Sequence, residues 1–226
     1  MLNKFTTLGA IALLGAPALA GTNLLTNGSF ETPGPGIIPF AGWTQQFFGN
    51  VFQADSGEVA PQDGNFTCKT FGTFPGPGVQ GDSGLIQRIP VTAGLNYVAQ
   101  VYVQNSSIDP LGADNLALWL VQWKDAGGGS LGELNVQAAN PQTPLDQWNL
   151  VTATGVAPAG AAFADVFLLF LQFNNQGGSI FWDNASFVQG DPPAEPCNPS
   201  DIAEPFGLLD LADINAFVTG FLQGCD

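Results

Sequence analysis

The chain has 226 residues and a net charge of −15, from 19 Asp and Glu against 4 Lys and Arg, and it contains no His. The charge excludes partners that recruit basic surfaces, such as nucleic acid or anionic membranes. The absence of His excludes Ser-His-Asp and Cys-His catalysis and His-ligated zinc or copper.

Residues 1–20, MLNKFTTLGAIALLGAPALA, place Lys4 before an apolar run and end on Ala18-Leu19-Ala20. This is the pattern of a secretory leader with an A-x-A cleavage site. It predicts a protein that is secreted, extracellular or displayed at a cell surface. No later stretch is long and apolar enough for a helical membrane span. Export also predicts an environment where disulfides persist. Cys197 and Cys225 bracket the C-terminal segment and could staple it, with other pairings open. Cys68, in NFTCKTF, reads as a small buried hydrophobe.

From residue 23 to about 188 the chain reads as strands broken by Gly, Pro, Asn and Asp. In order they are NLLTNGSFE, GWTQQFFG, GNFTCKTFG, GLIQRIPV, NYVAQVYVQ, LALWLVQWKDAGGG, QWNLVTATGVAP, ADVFLLFLQF and SIFWDNASFV. Period-two alternation puts Tyr97, Ala99, Val101 and Val103 on one face of NYVAQVYVQ, as core. Gln100, Tyr102 and Gln104 share the other with Val98. Trp119, Val121 and Trp123 alternate onto one face of LALWLVQWK and read as core. Many short strands at turn-limited spacing predict an all-β, two-sheet antiparallel β-sandwich, or jelly roll, over residues 21–188. Residues 189–200, QGDPPAEPCNPS, form a Pro-rich linker. Residues 201–226 form a short helical C-terminal tail, with Leu211, Ile214, Val218, Phe221 and Leu222 at helical spacing. Asp210 stands at the N-cap position with Asp213 three residues on, and Gly224 could end the helix.

Taken together, NLLTNGSFE, GW, DGNFTCKT, GLIQRIPVTAGLNYVAQVYVQ, QWNLVTATGVAPAGA and FWDNASF resemble, in this order, carbohydrate-binding modules of the family 4/9/22 type. Those are galactose-binding-like jelly rolls attached to extracellular glycan-degrading enzymes. The resemblance covers residues 22–188. It implies a structural calcium held by Glu31, Asp183 and Asp63. Carboxylates and carbonyls are the hard oxygen ligands that calcium takes. The tail, GLLDLADINAFVTGFL, resembles half of a dockerin repeat, a module with an EF-hand-like calcium loop. With Gly207 at the loop glycine, Asp210 and Asp213 take the last two ligand positions. Ile202, Glu204 and Phe206 take the earlier ones, and two of those three have no ligating side chain. One copy is present where dockerins carry two. The tail is therefore expected to be a metal-free helical appendage that caps the sandwich or marks the protein for a surface or protein partner.

A neutral-sugar site needs aromatic rings to stack on pyranose faces and amides to bond hydroxyls. Gln100, Tyr102, Gln104 and Gln172 are the candidates. The sequons at Asn27, Asn65, Asn105 and Asn184 read as chance. No carboxylate pair can be argued from spacing as a glycosidase site. A lyase for acidic substrates would want more basic residues than Lys69, Arg88 and Lys124. Non-catalytic binding of a neutral polysaccharide or glycan is the leading expectation. A secreted structural or adhesive surface protein, using the same sandwich without a sugar site, is the alternative.

Overall fold

The computed structural model describes residues 21–36, 38–47, 49–190 and 211–223. The leader, Asp210, Gly224, Cys197, Cys225 and the dockerin-like positions Ile202, Glu204, Phe206 and Gly207 lie outside them, as does most of the linker. The strands are β1 (Thr44–Gln46), β2 (Asn50–Asp55), β3 (Phe66–Phe71), β4 (Ser83–Pro90) and β5 (Asn96–Gln104). They continue as β6 (Leu116–Lys124), β7 (Ser130–Ala139), β8 (Asn149–Val156), β9 (Phe163–Leu171) and β10 (Ser179–Gln189). Two five-stranded sheets result, ordered β1-β4-β9-β6-β7 and β2-β3-β10-β5-β8. Every strand pair is antiparallel. This is the all-β sandwich that the turn-limited strands predict.

The core follows from the alternation. Tyr97, Ala99, Val101 and Val103 point inward from β5, and Trp119, Val121 and Trp123 from β6. Tyr97 stacks on Phe187 with ring centroids 5.1 Å apart, and its hydroxyl accepts the Thr92 N–H at 2.8 Å. Cys68 is a buried free thiol inside this core. Burial, and then the Asp183 charge, push its pKa up.

The opening segment NLLTNGSFE is not a strand. Asn27 and Phe30 have φ values of 54° and 57°, which no strand sustains. The segment nevertheless lies along β10. Leu24 N–H donates to Phe187 O, and Ala185 N–H to Gly28 O, both at 2.8 Å. Asn23 bonds Phe187 N and Ala185 O through its side chain, and Gln87 bonds both backbone groups of Thr26. Phe30 then turns into the core, edge-on to Phe40. Two strands absent from the expected set, β2 and β7, complete the sheets.

The sandwich is one compact unit, Gly21–Pro192, and helix α1 (Leu211–Gln223) belongs to a second. Helix α1 carries Asp213 in its first turn, where the helix dipole favours an acid. Among the described residues no helix is long and apolar enough to cross a membrane.

Candidate functional site

Because β5 turns Tyr97, Ala99, Val101 and Val103 inward, it turns Gln100, Tyr102 and Gln104 onto the outer face of the β2-β3-β10-β5-β8 sheet. Tyr102 pairs with Asp183 on β10 and with Leu150 on β8, and is half-buried. Gln100 pairs with Ser186 and Thr152, and its Nε2 donates to Thr152 Oγ1 at 3.1 Å. Gln104 shares the face but is buried, register-paired with buried Phe181.

The loop of residues 56–65, between β2 and β3, folds onto this face. Val59 is buried against Ala54 and Phe181, and Trp148 packs on the cluster. Trp148 Nε1 donates to Ala60 O at 3.0 Å. Two carboxylates latch the rest of the loop. Asp183 Oδ2 accepts the N–H groups of Gln62 and Asp63, at 2.8 and 3.0 Å. Glu31 Oε1 accepts those of Asn65 and Phe66, at 2.9 and 2.8 Å. Between these pairs stands Gly64, at φ 66°, where a Cβ would lie 2.4 Å from Glu31 Oε1. A bulge in β10 follows Asp183. There Asn184, at φ 46°, aims its amide at Gln62 Oε1, 3.2 Å away.

Asp183 is fully buried. Burial pushes its pKa up to about 6, against the opposing pull of its three backbone N–H donors, the third being Asn184, and the Asp63 charge adds to the rise. The expected calcium ligands are thus Glu31, Asp183 and Asp63. Glu31 and Asp183 hold one loop, but they do so by accepting backbone N–H groups. Asp63 is exposed. Among the described residues no group of three or more His, Cys, Asp or Glu is placed to hold a metal ion. A calcium ion takes six to eight oxygens; here Glu31 Oε1 and Asp183 Oδ1 and Oδ2 accept backbone N–H groups.

Gln172 is not on this face. It follows β9, in the other sheet, at 0% exposure. Its Oε1 accepts the Phe74 N–H at 2.9 Å and its Nε2 donates to Gln176 O at 2.8 Å. Gly72 and Gly81 pack against it so closely that a Cβ at Gly72 would sit 2.1 Å from its Cδ. Gln172 therefore clasps the loops at one end of the sandwich, where a solvent-facing sugar ligand was expected. The face around Tyr102 instead gains Leu150, Thr152, Ser186, Asn184 and Gln62. Their side chains carry amides, hydroxyls and one apolar group, none of it charged. Thr152 was legible from the alternation of QWNLVTATGVAP. Asn184 and Gln62 reach the site through a bulge and a loop that sequence periodicity does not describe.

No family model and no curated protein matches this sequence. Solved structures do. The enzymatically active domain of tailspike protein 4 from bacteriophage CBA120 superposes with a TM-score of 0.54 at 16% identity, over 74% of this chain and 21% of that one. The chain thus spans about a fifth of the length of that domain's chain. A cyclase from Fischerella sp. TAU gives a TM-score of 0.54 at 15% identity, over 76% of this chain and 98% of that one. TmCBM61, solved with β-1,4-galactotriose, gives 0.49 at 16% identity, over 75% of this chain and 99% of that one. The shared sandwich fold rests on the first two.

Proposed function

We propose that this protein is a non-catalytic module that binds a neutral extracellular polysaccharide or glycan on the outer face of β5 and β8. The observation that carries this reading is the half-buried Tyr102 ring on the outer face, set among uncharged hydrogen-bonding side chains. A pyranose has an apolar face to stack on the ring and equatorial hydroxyls to meet Gln100, Thr152, Asn184 and Gln62. The latched loop fixes one wall of the site before any ligand arrives, which lowers the ordering cost of binding. Asp183, the cross-strand partner of Tyr102, is buried and bonded to backbone, so it is not set across a cleft from a second carboxylate as a glycosidase requires. The leader pattern supports a place outside the cytoplasm. In the tail, helix α1 exposes Leu211, Ile214 and Val218, the side chains through which a surface or protein partner would be met.

Each amide–hydroxyl bond contributes roughly 0.5–1.5 kcal/mol net, so affinity rests on several such bonds together with ring stacking. Binding is therefore weak and insensitive to salt, since the ligand carries no charge. Calorimetric titration with β-glucan, xylan and galactan oligosaccharides tests this. Heat from at least one, lost in Tyr102→Ala, supports the reading. No heat from any of them returns the protein to the structural or adhesive alternative.

A further inference from the structure

A second aromatic surface stands on the same sheet face, beyond the loop of residues 56–65. Phe52 on β2 pairs with Lys69 on β3, and Asn50 pairs with Phe71, so all four side chains point outward. The Phe52 and Phe71 rings lie parallel within 11°, with centroids 5.5 Å apart. Phe52 is 50% exposed. Lys69 holds the group in place. Its ammonium sits 5.9 Å from the Phe71 centroid and 5.4 Å from that of buried Phe181, and it pairs with Glu58. Phe52 thus presents a half-exposed ring on an edge strand, backed by the Phe71 ring.

We infer that the Phe52–Phe71 pair is a second stacking platform for a neutral pyranose, an inference that rests on the glycan-binding reading of the Tyr102 face. The rings supply a rigid apolar surface. Glu58 and Lys69 supply an acceptor and donors for hydroxyls, and their charges cancel, so nothing in the group selects an ion. Strands β2 and β5 are three steps apart in the sheet, or about 14 Å at the usual strand spacing. The loop carrying Val59 packs on β10 between them. The two platforms therefore hold separate sugar rings.

The test is a nuclear magnetic resonance titration with hexasaccharides of β-glucan, xylan and galactan. The proteins are wild type, Phe52→Leu, Tyr102→Ala and the double variant. Leucine keeps the apolar bulk of Phe52 and removes the ring, and an unchanged melting temperature certifies its fold. Phe52→Leu is expected to weaken binding by about five- to tenfold, the worth of one aromatic contact. The double variant is expected not to bind. Wild-type affinity in Phe52→Leu overturns the second platform, and leaves the Tyr102 reading intact if Tyr102→Ala still abolishes binding. Loss of binding in Phe52→Leu with none in Tyr102→Ala upholds this platform and removes the other. A wild type that binds none of the glycans overturns both.

Discussion

Stability against pH reads the burial of Asp183 directly. In an unfolded chain this carboxyl titrates near 3.8, and in the fold burial raises it to about 6. The folded state therefore holds the proton more tightly, and the native state is favoured when Asp183 is protonated. The contribution is fully present below pH 4 and is lost as pH rises through 6. A rise from 3.8 to about 6 corresponds to about 3 kcal/mol between the two ends of that window. Other acids are perturbed too. Burial raises Asp82 as well, and the Ser107 backbone N–H lowers Asp146. The comparison is accordingly with Asp183→Asn, which removes one titration and leaves the rest. That amide can accept on one side only, so one set of backbone donors loses its partner at a cost of about 1–3 kcal/mol. This cost shifts the variant's curve downward at every pH without adding a slope. Urea unfolding of both proteins between pH 4 and 7.5 is the assay. The difference, wild type minus variant, should fall by about 2 kcal/mol between pH 4 and 7.5. A difference that rises with pH would mean that ionised Asp183 is stabilised in the fold, as a bound cation would do, and would refute the reasoning.

Three further outcomes follow from the same geometry. Chelator should leave the melting temperature unchanged and added calcium should not raise it, because Glu31 Oε1 and both Asp183 oxygens already accept backbone N–H groups; a calcium-dependent rise would show a ligand of the native state. Gln172→Ala strips partners from Phe74 N–H and Gln176 O, so a loss of about 1–3 kcal/mol per orphaned group is expected by denaturant unfolding, with glycan binding unaltered. Gly64→Ala forces a side chain into the left-handed region and against Glu31, and should loosen the 56–65 loop by at least about 1–2 kcal/mol, seen as faster amide exchange at Gln62 to Phe66.

The inward face of the sandwich was legible because strand alternation is a local property. Tyr97 to Val103 and Trp119 to Trp123 pack where period two puts them. Strand β7 was less visible. Its core contacts are the half-buried Leu134 and Val136 and the small buried Ala138 and Ala139 at its end, and the strand's first four positions are exposed. The opening segment has strand-like composition, but its conformation is set by positive φ at Asn27 and Phe30 and by side chains of Asn23 and Gln87 that reach across the fold. Of the site, Gln100 and Tyr102 could be placed on the outer face from the sequence. Gln172 could not, since an amide among apolar residues signals a buried partner as readily as a ligand. Glu31 and Asp183 converge on one loop, as their shared role implied. The partners they meet there are main-chain donors, which carry no sequence signature.

The chain has two tyrosines, which makes the central claim directly observable. Tyr97 is sealed in the core and Tyr102 faces the proposed ligand. Selective tyrosine labelling and titration with the hexasaccharide panel reports on both rings in one spectrum. The expected result is a progressive shift of the Tyr102 ring signals with at least one glycan, while Tyr97 stays still. Tyr102 signals that stay still with every glycan, or that move only in step with Tyr97, would contradict glycan binding at this face.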